Sequence, residues 1–125
     1  GPAAAQRLAD TLNAERPAAA KVVARKGRDY YLLDRDEIYA FQADGELVWA
    51  LTDSQRYLAT ETLSSLETKL ADARFRRVHR GALVNLEKVR KLTSISSQRW
   101  LLTLSNGVQL TVSKRQAPAI REIRG

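Results

Sequence analysis

The sequence predicts a mostly β domain with one short helix. Three observations carry that reading: brief apolar runs separated by turn dipeptides, two-residue alternation near the C-terminal end, and a single segment of helical leucine spacing. The runs are Val22-Val23-Ala24, Tyr30-Tyr31-Leu32-Leu33 and Ile38-Tyr39-Ala40-Phe41, with Gly27 placed to turn the chain between the first two. Asp44-Gly45 separates residues 38–43 from 46–51, and Asn106-Gly107 separates residues 101–105 from 108–112. Both dipeptides favour a type I′ hairpin, in which each central residue takes a positive φ. Val108, Leu110 and Val112 alternate with Gln109 and Thr111, giving that strand one buried and one wet face. The helix lies between the hairpins. Thr60 is placed to cap it, Glu61 sits in its first turn, and Leu63, Leu66 and Leu70 share one face before it ends near residues 71–73. Pro118 ends the β region, and Ile120 and Ile123 are spaced for a last helical turn. Residues 3–20, rich in alanine and interrupted by Pro17, read as a linker or a frayed helix. The expected organisation is therefore a tag remnant (Gly1-Pro2) and Ala-rich linker over 1–20, then one domain over 21–125.

At 125 residues the chain is long enough for one domain with a real core. It has no cysteine, which excludes disulfides, thiolate metal sites and a cysteine nucleophile, and fits a reducing cytoplasm. No apolar run approaches the roughly 20 residues of a membrane-spanning helix, and the N-terminus lacks the basic-then-apolar order of a signal peptide. The formal charge of +7 is unevenly spread. Residues 1–73 hold 9 Lys/Arg against 12 Asp/Glu, a balance of −3, whereas residues 74–125 hold 12 against 2, a balance of +10. Such a one-sided field attracts polyanions, so nucleic acid or an anionic membrane leads the partner classes, ahead of a basic surface kept for solubility.

The densest signal is Phe75-Arg76-Arg77-Val78-His79-Arg80-Gly81-Ala82-Leu83-Val84-Asn85-Leu86-Glu87-Lys88-Val89-Arg90-Lys91. Apolar residues punctuate the cations throughout, so a core can anchor the backbone while guanidinium groups project outward; a merely solvated charged face needs no such punctuation. The planar fork of arginine suits this work, because it grips a phosphate, or O6 and N7 of guanine, with two hydrogen bonds. Trp49 and Trp100 sit in strand-like segments and read as core anchors rather than base-stacking platforms. Catalytic motifs are lacking: there is no P-loop, no Gly-rich dinucleotide turn and no helix-borne histidine pair, and His79 is the sole histidine. Asp34, Asp36 and Glu37 form a tight acidic cluster that reads as a solvated turn rather than a cation site. No enzyme, no cofactor and no small-molecule substrate are expected.

The run Phe75-Arg76-Arg77-Val78-His79-Arg80 leading into Leu83-Val84-Asn85-Leu86, the Leu104 to Gly107 hairpin, and Val112-Ser113-Lys114-Arg115 after it resemble the LytTR-type DNA-binding domain of bacterial response regulators. The resemblance covers about residues 21–117. It implies an elongated stack of small antiparallel β-sheets whose loops, not a recognition helix, enter successive major grooves. Arg80, after the motif histidine, and Arg115 then correspond to base readers. A third reader falls in the Asp44-Gly45-Glu46 turn, where Glu46 can accept from cytosine N4. Arg77, His79, Lys88, Ser113 and Lys114 correspond to phosphate contacts, which fix register without reading sequence. Two positions depart from the family pattern. Gly81 stands where a small hydroxyl residue is usual, and Lys114 where Arg is common, which keeps the charge but loses the fork. The function so implied is sequence-specific binding of double-stranded DNA, on direct repeats occupied by two copies, as the output domain of a bacterial regulator with a signal-receiving domain N-terminal to it. The other readings are a basic module for RNA or single strands, and a protein-interaction domain using exposed sheet edges.

Overall fold

Alternation along the strands sends apolar side chains to both faces of one sheet, and each face closes its own core. The computed structural model describes residues 2–16, 20–96, 99–118 and 120. The chain runs α1 (Pro2–Glu15), β1 (Lys21–Lys26), β2 (Asp29–Asp34), β3 (Ala40–Asp44), β4 (Leu47–Leu51), β5 (Arg56–Ala59), α2 (Leu63–Lys69), β6 (Phe75–His79), β7 (Ala82–Asn85), β8 (Val89–Ser96), β9 (Arg99–Leu104) and β10 (Gln109–Val112). Short 3-10 turns lie at Arg35–Glu37, Ala71–Ala73, Leu86–Lys88 and Lys114–Gln116. A seven-stranded sheet has the order β2-β1-β5-β4-β3-β7-β6, a three-stranded sheet the order β10-β9-β8, and the paired strands are antiparallel. The expected mostly β, antiparallel architecture is present. Among the described residues no helix is long and apolar enough to cross a membrane.

On one face of the large sheet, Leu63, Leu66 and Leu70 of the α2 region pack with Val22, Leu33, Phe41, Phe75 and Leu83. The Phe41 and Phe75 rings lie 5.8 Å apart, tilted by 46°, an arrangement that contributes about 0.5–1.5 kcal/mol beyond the area buried. On the other face, Ala40, Val78, Ala82 and Val84 meet Leu102, Leu104, Leu110 and Val112 of the small sheet, with Ile120. β7 serves both cores: Leu83 enters the first and Ala82 and Val84 the second, and all four of its residues are buried. Its last residue, Asn85, is 3% exposed. Asn85 Nδ2 donates to the carbonyl of Ile38 at 3.0 Å, and Oδ1 accepts from the Glu87 N–H at 3.0 Å. A polar group so deep is tolerated because its donor and acceptor capacity is used.

Several expectations need correction. Of the two readings of the Ala-rich stretch, the helix holds over Pro2–Glu15 as α1, so the described residues carry two α-helices rather than one. Sequence periodicity missed it because Leu8 and Leu12, its larger apolar residues, remain outside, and Ala9 is its buried residue. Asn13 ties the helix to β1: Oδ1 accepts from the Lys21 N–H at 2.6 Å and Nδ2 donates to the Lys21 carbonyl at 3.1 Å. The cap of α2 is Thr62, which accepts from the Ser65 N–H at 3.1 Å; Thr60 instead donates to the Val23 carbonyl. Neither hairpin has a type I′ turn. Positive φ falls on Gly45 alone (61°), the first of the two turn residues between Asp44 and Leu47, as a type II′ turn demands. At the other hairpin it falls on Gly107 (89°), whose N–H donates to the Leu104 carbonyl, matching a type I turn followed by a glycine bulge. Ile120 is buried and helical, while Ile123 lies outside the described residues.

Asn85→Ala should lower the unfolding free energy by about 2–4 kcal/mol, because the Ile38 carbonyl and the Glu87 N–H lose their partner and a buried unsatisfied group costs about 1–3 kcal/mol. Urea denaturation monitored by tryptophan fluorescence measures this, and a loss under about 1 kcal/mol would show the pair to be dispensable.

Candidate nucleic-acid interface

Arg80 and Gly81 form the two-residue turn between β6 and β7, with His79 paired to Ala82 across it. The β6–β7 register shifts between Arg77 and His79, so the strand bulges at Val78 immediately before the turn. A bulge of this kind re-aims the residues that follow. Val78 keeps its side chain in the second core, while His79 and Arg80 emerge exposed. Three contacts hold the turn. The Gly81 carbonyl accepts from the Ala43 N–H at 2.8 Å, the Gly81 N–H donates to His79 Nδ1 at 3.1 Å, and the Arg80 carbonyl accepts from Arg77 Nη1 at 2.8 Å. With Nδ1 accepting from the backbone, Nε2 is the ring nitrogen left to donate.

The second turn, Lys114–Gln116, follows β10. Buried Val112 fixes one side and buried Ile120 the other. Ser113 N–H donates to the Val78 carbonyl at 2.9 Å, so the small sheet grips β6 at the bulge, next to the Arg80 turn. As a result Arg77, His79, Arg80, Ser113, Arg115 and Gln116 line one cleft of about 340 Å³. No carboxylate is among them. The cleft offers guanidinium, imidazole, hydroxyl and amide groups, a donor-rich set suited to phosphate oxygens and to the acceptor-rich edge of guanine.

The positions expected to contact DNA therefore divide. Arg80, Arg115, His79 and Ser113 come together. Lys114 is exposed on the same 3-10 turn, although it does not line the cleft. Arg77 lines the cleft wall but directs its guanidinium inward, with its side chain 15% exposed. Lys88 lies at the opposite end of β7 from Arg80, its Nζ 5.0 Å from the centroid of the Tyr39 ring, beside Ser105, which hydrogen-bonds the Lys88 carbonyl. Glu46 is exposed in the β3–β4 turn and lines a separate depression with Leu47, Leu58 and Leu63. Sequence reasoning passed over Gln116, the neighbour of Arg115, whose side-chain amide can bind N6 and N7 of adenine with two hydrogen bonds. Its signal was adjacency alone.

Of the two tryptophans expected as core anchors, Trp100 packs against a core, whereas Trp49 joins neither core cluster. The Arg56 guanidinium lies 3.9 Å from the centroid of the Trp49 ring, covering it, and Trp100 packs half-buried against the second core. In the acidic cluster Glu37 Oε1 accepts from the Asp34 N–H at 2.8 Å, and Asp34 pairs with Lys21.

Comparisons with known proteins converge on one family. The family profile described as LytTr DNA-binding domain matches residues 28–125. The heme-containing CO-sensing transcriptional regulator RcoM 1 of Paraburkholderia xenovorans is 32% identical over 104 residues, covering 82% of this chain and 39% of that protein. The sensory transduction protein LytT of Bacillus subtilis is 30% identical over 104 residues, covering 82% and 43%. The positive alginate biosynthesis regulatory protein of Pseudomonas aeruginosa is 31% identical over 104 residues, covering 82% and 42%. The chain thus spans less than half the length of these relatives. A solved LytTr DNA-binding domain from Bacillus cereus superposes with a TM-score of 0.76 at 20% identity, covering 84% of this chain and 96% of that one.

Gly81 is a glycine without a glycine's backbone, because its φ is not positive and a Cβ there would meet its nearest neighbours, His79 Nδ1 and Ala43 Cβ, at 3.6 and 3.8 Å, ordinary contact distances. Gly81→Ala should therefore stabilise the fold by about 0.4–1 kcal/mol through the entropy of the unfolded chain. A lower melting temperature in thermal denaturation would contradict this account of the turn.

Proposed function

The chain belongs to the LytTr DNA-binding domain family, and on that footing we propose that its Arg80 and Arg115 turns read base edges in double-stranded DNA while neighbouring donors hold phosphate. It is a DNA-binding domain homologous to the output domains of LytT- and LytR-type regulators. One observation carries the assignment of its site: two turns from different sheets, each with an exposed arginine, line one cleft without a carboxylate. Guanidinium groups held this way suit bidentate contact with guanine O6 and N7. His79, Ser113 and Lys114 are the phosphate partners beside them, positioning the duplex without reading it. Glu46 is the proposed third reader, accepting from cytosine N4 at a distance from the cleft, and Lys88 a phosphate contact at the far end of β7.

As an output domain in a cytoplasmic regulator, the chain works beside a signal-receiving domain on its N-terminal side, and two copies occupy direct repeats. The relatives that it matches over less than half their length, a CO-sensing regulator and sensory transduction proteins among them, support this arrangement.

Selection from a random duplex pool supplies the cognate site, and titration against a scrambled duplex of equal length tests the reading. Affinity for the selected duplex should exceed that for the scrambled one by at least about 10³ and fall steeply with salt. Equal affinity for both, or a preference for RNA or single strands, would sink it. Arg80→Ala and Arg115→Ala should each cost about 1–3 kcal/mol on the selected duplex and relax discrimination at one base pair. Lys114→Ala should weaken all duplexes alike and lower the salt slope by about one. Lys88→Ala with an unchanged slope would remove Lys88 from the contact surface.

A further inference from the structure

Arg77 lies two residues after Phe75 on β6, so strand alternation sends both side chains to the face covered by α2. Ser64 and Glu67, three residues apart on α2, meet it there. Arg77 Nη2 lies 3.2 Å from Glu67 Oε1 and 3.4 Å from Ser64 Oγ, while Nη1 donates to the Arg80 carbonyl at 2.8 Å. Nε is buried without a hydrogen-bond partner. The guanidinium thus spans from the helix to the backbone of the residue that reads the base. Its fork geometry allows this, since the two terminal nitrogens point to different partners in one plane.

We propose that Arg77 is a positioning residue for DNA recognition: pinned by Glu67 of α2, it fixes the Arg80 turn in its reading geometry and does not itself contact phosphate. The proposal rests on the reading of Arg80 as a base-contacting residue. It makes α2 the brace of the reader turn. Two of the three contacts that hold that turn come from the large sheet or from its own histidine, and Arg77 supplies the one that reaches the helix.

The charge of Glu67 allows a test in which the two explanations differ in sign. Glu67 is 45% exposed, so Glu67→Gln leaves the cores intact. If Glu67 merely adds negative charge near a DNA site, its removal raises affinity for selected and scrambled duplexes alike and leaves their ratio unchanged. If it holds Arg77, the ratio falls by about three- to thirtyfold, within the span of couplings between residues in contact. Discrimination should be lost at the same base pair that Arg80→Ala relaxes, with Arg115's base pair unaffected. Arg77→Lys keeps the charge without the fork, so it should lower the ratio while leaving the salt slope unchanged. In an Arg80→Ala background, Glu67→Gln should produce no further loss.

The measurements use the 125-residue chain, the duplex selected by the unmodified protein and a scrambled duplex, with circular dichroism melts confirming that each variant folds. A ratio unchanged by Glu67→Gln while Arg80→Ala lowers it overturns the positioning role alone. A salt slope reduced by about one in Arg77→Gln, which removes the charge, also overturns it, by making Arg77 a phosphate contact. An unmodified protein without preference for any duplex overturns the DNA-site reading and this inference with it.

Discussion

Strand β7 is the constraint on which the remainder depends. Its four residues are all buried, and they alternate between a core under α2 and a core under the small sheet. Because the side-chain period of a strand is two, a one-residue slip would carry Leu83 into the space of Ala82 or Val84 and empty its place beside Phe41 and Phe75. Both cores would fail together. Asn85 adds a polar lock at the end of the strand, with one partner before β3 and another in the following turn. With the register fixed, the first residues before β7 have no freedom either: Gly81 and Arg80 must turn where they do. The position of the proposed reader, Arg80, is thus a consequence of core packing.

The lopsided charge of the sequence has a narrower meaning in the folded chain than the count of cations suggests. Within the segment Arg74 to Arg80, Arg76 donates to the carbonyls of Ala71 and Phe75, and Arg77 is shared between Glu67 and the Arg80 carbonyl. Guanidinium groups committed to backbone carbonyls and a carboxylate are not available to release counterions from DNA. Arg80 is the one of these arginines placed at the tip of a turn in the cleft with its side chain directed to solvent. The acidic half of the chain contributes to this division, since Glu67 comes from it and draws Arg77 away from the surface.

Sequence patterns revealed the elements whose apolar period survives folding. The alternation of Val108, Leu110 and Val112 and the spacing of Leu63, Leu66 and Leu70 both became buried faces. The motif around Arg80 and the Ser113-Lys114-Arg115 segment pointed to turns that the structure brings into one cleft. Other features had no such signature. Helix α1 buries Ala9 and leaves its leucines outside, so no stripe announces it. Strand β5 has only four residues and is defined by its neighbours, β1 on one side and β4 on the other. Pairing between distant strands is a tertiary fact that no local window contains. The fate of Arg77 was nearly legible: its two-residue offset from Phe75 gives its face, but the presence of Ser64 and Glu67 opposite follows only once α2 is docked.

Recognition by turns, as proposed for this domain, places a particular demand on the fold. A recognition helix holds several readers in register through its own backbone hydrogen bonds, whereas a two-residue turn offers one reader and little internal restraint. Ordering a loose turn on binding would oppose affinity by about 1–2 kcal/mol for each backbone residue fixed. Here that ordering is done at folding. The carbonyls of Arg80 and Gly81 and the Gly81 N–H all have partners within the protein, and the Ser113 N–H to Val78 carbonyl bond couples the second turn to the first. The two arginines can therefore act as one preformed surface, although 34 positions of sequence separate Arg80 from Arg115. Spacing between the two proposed readers, which a helix would set by its pitch, is set in this domain by the packing of one sheet on another.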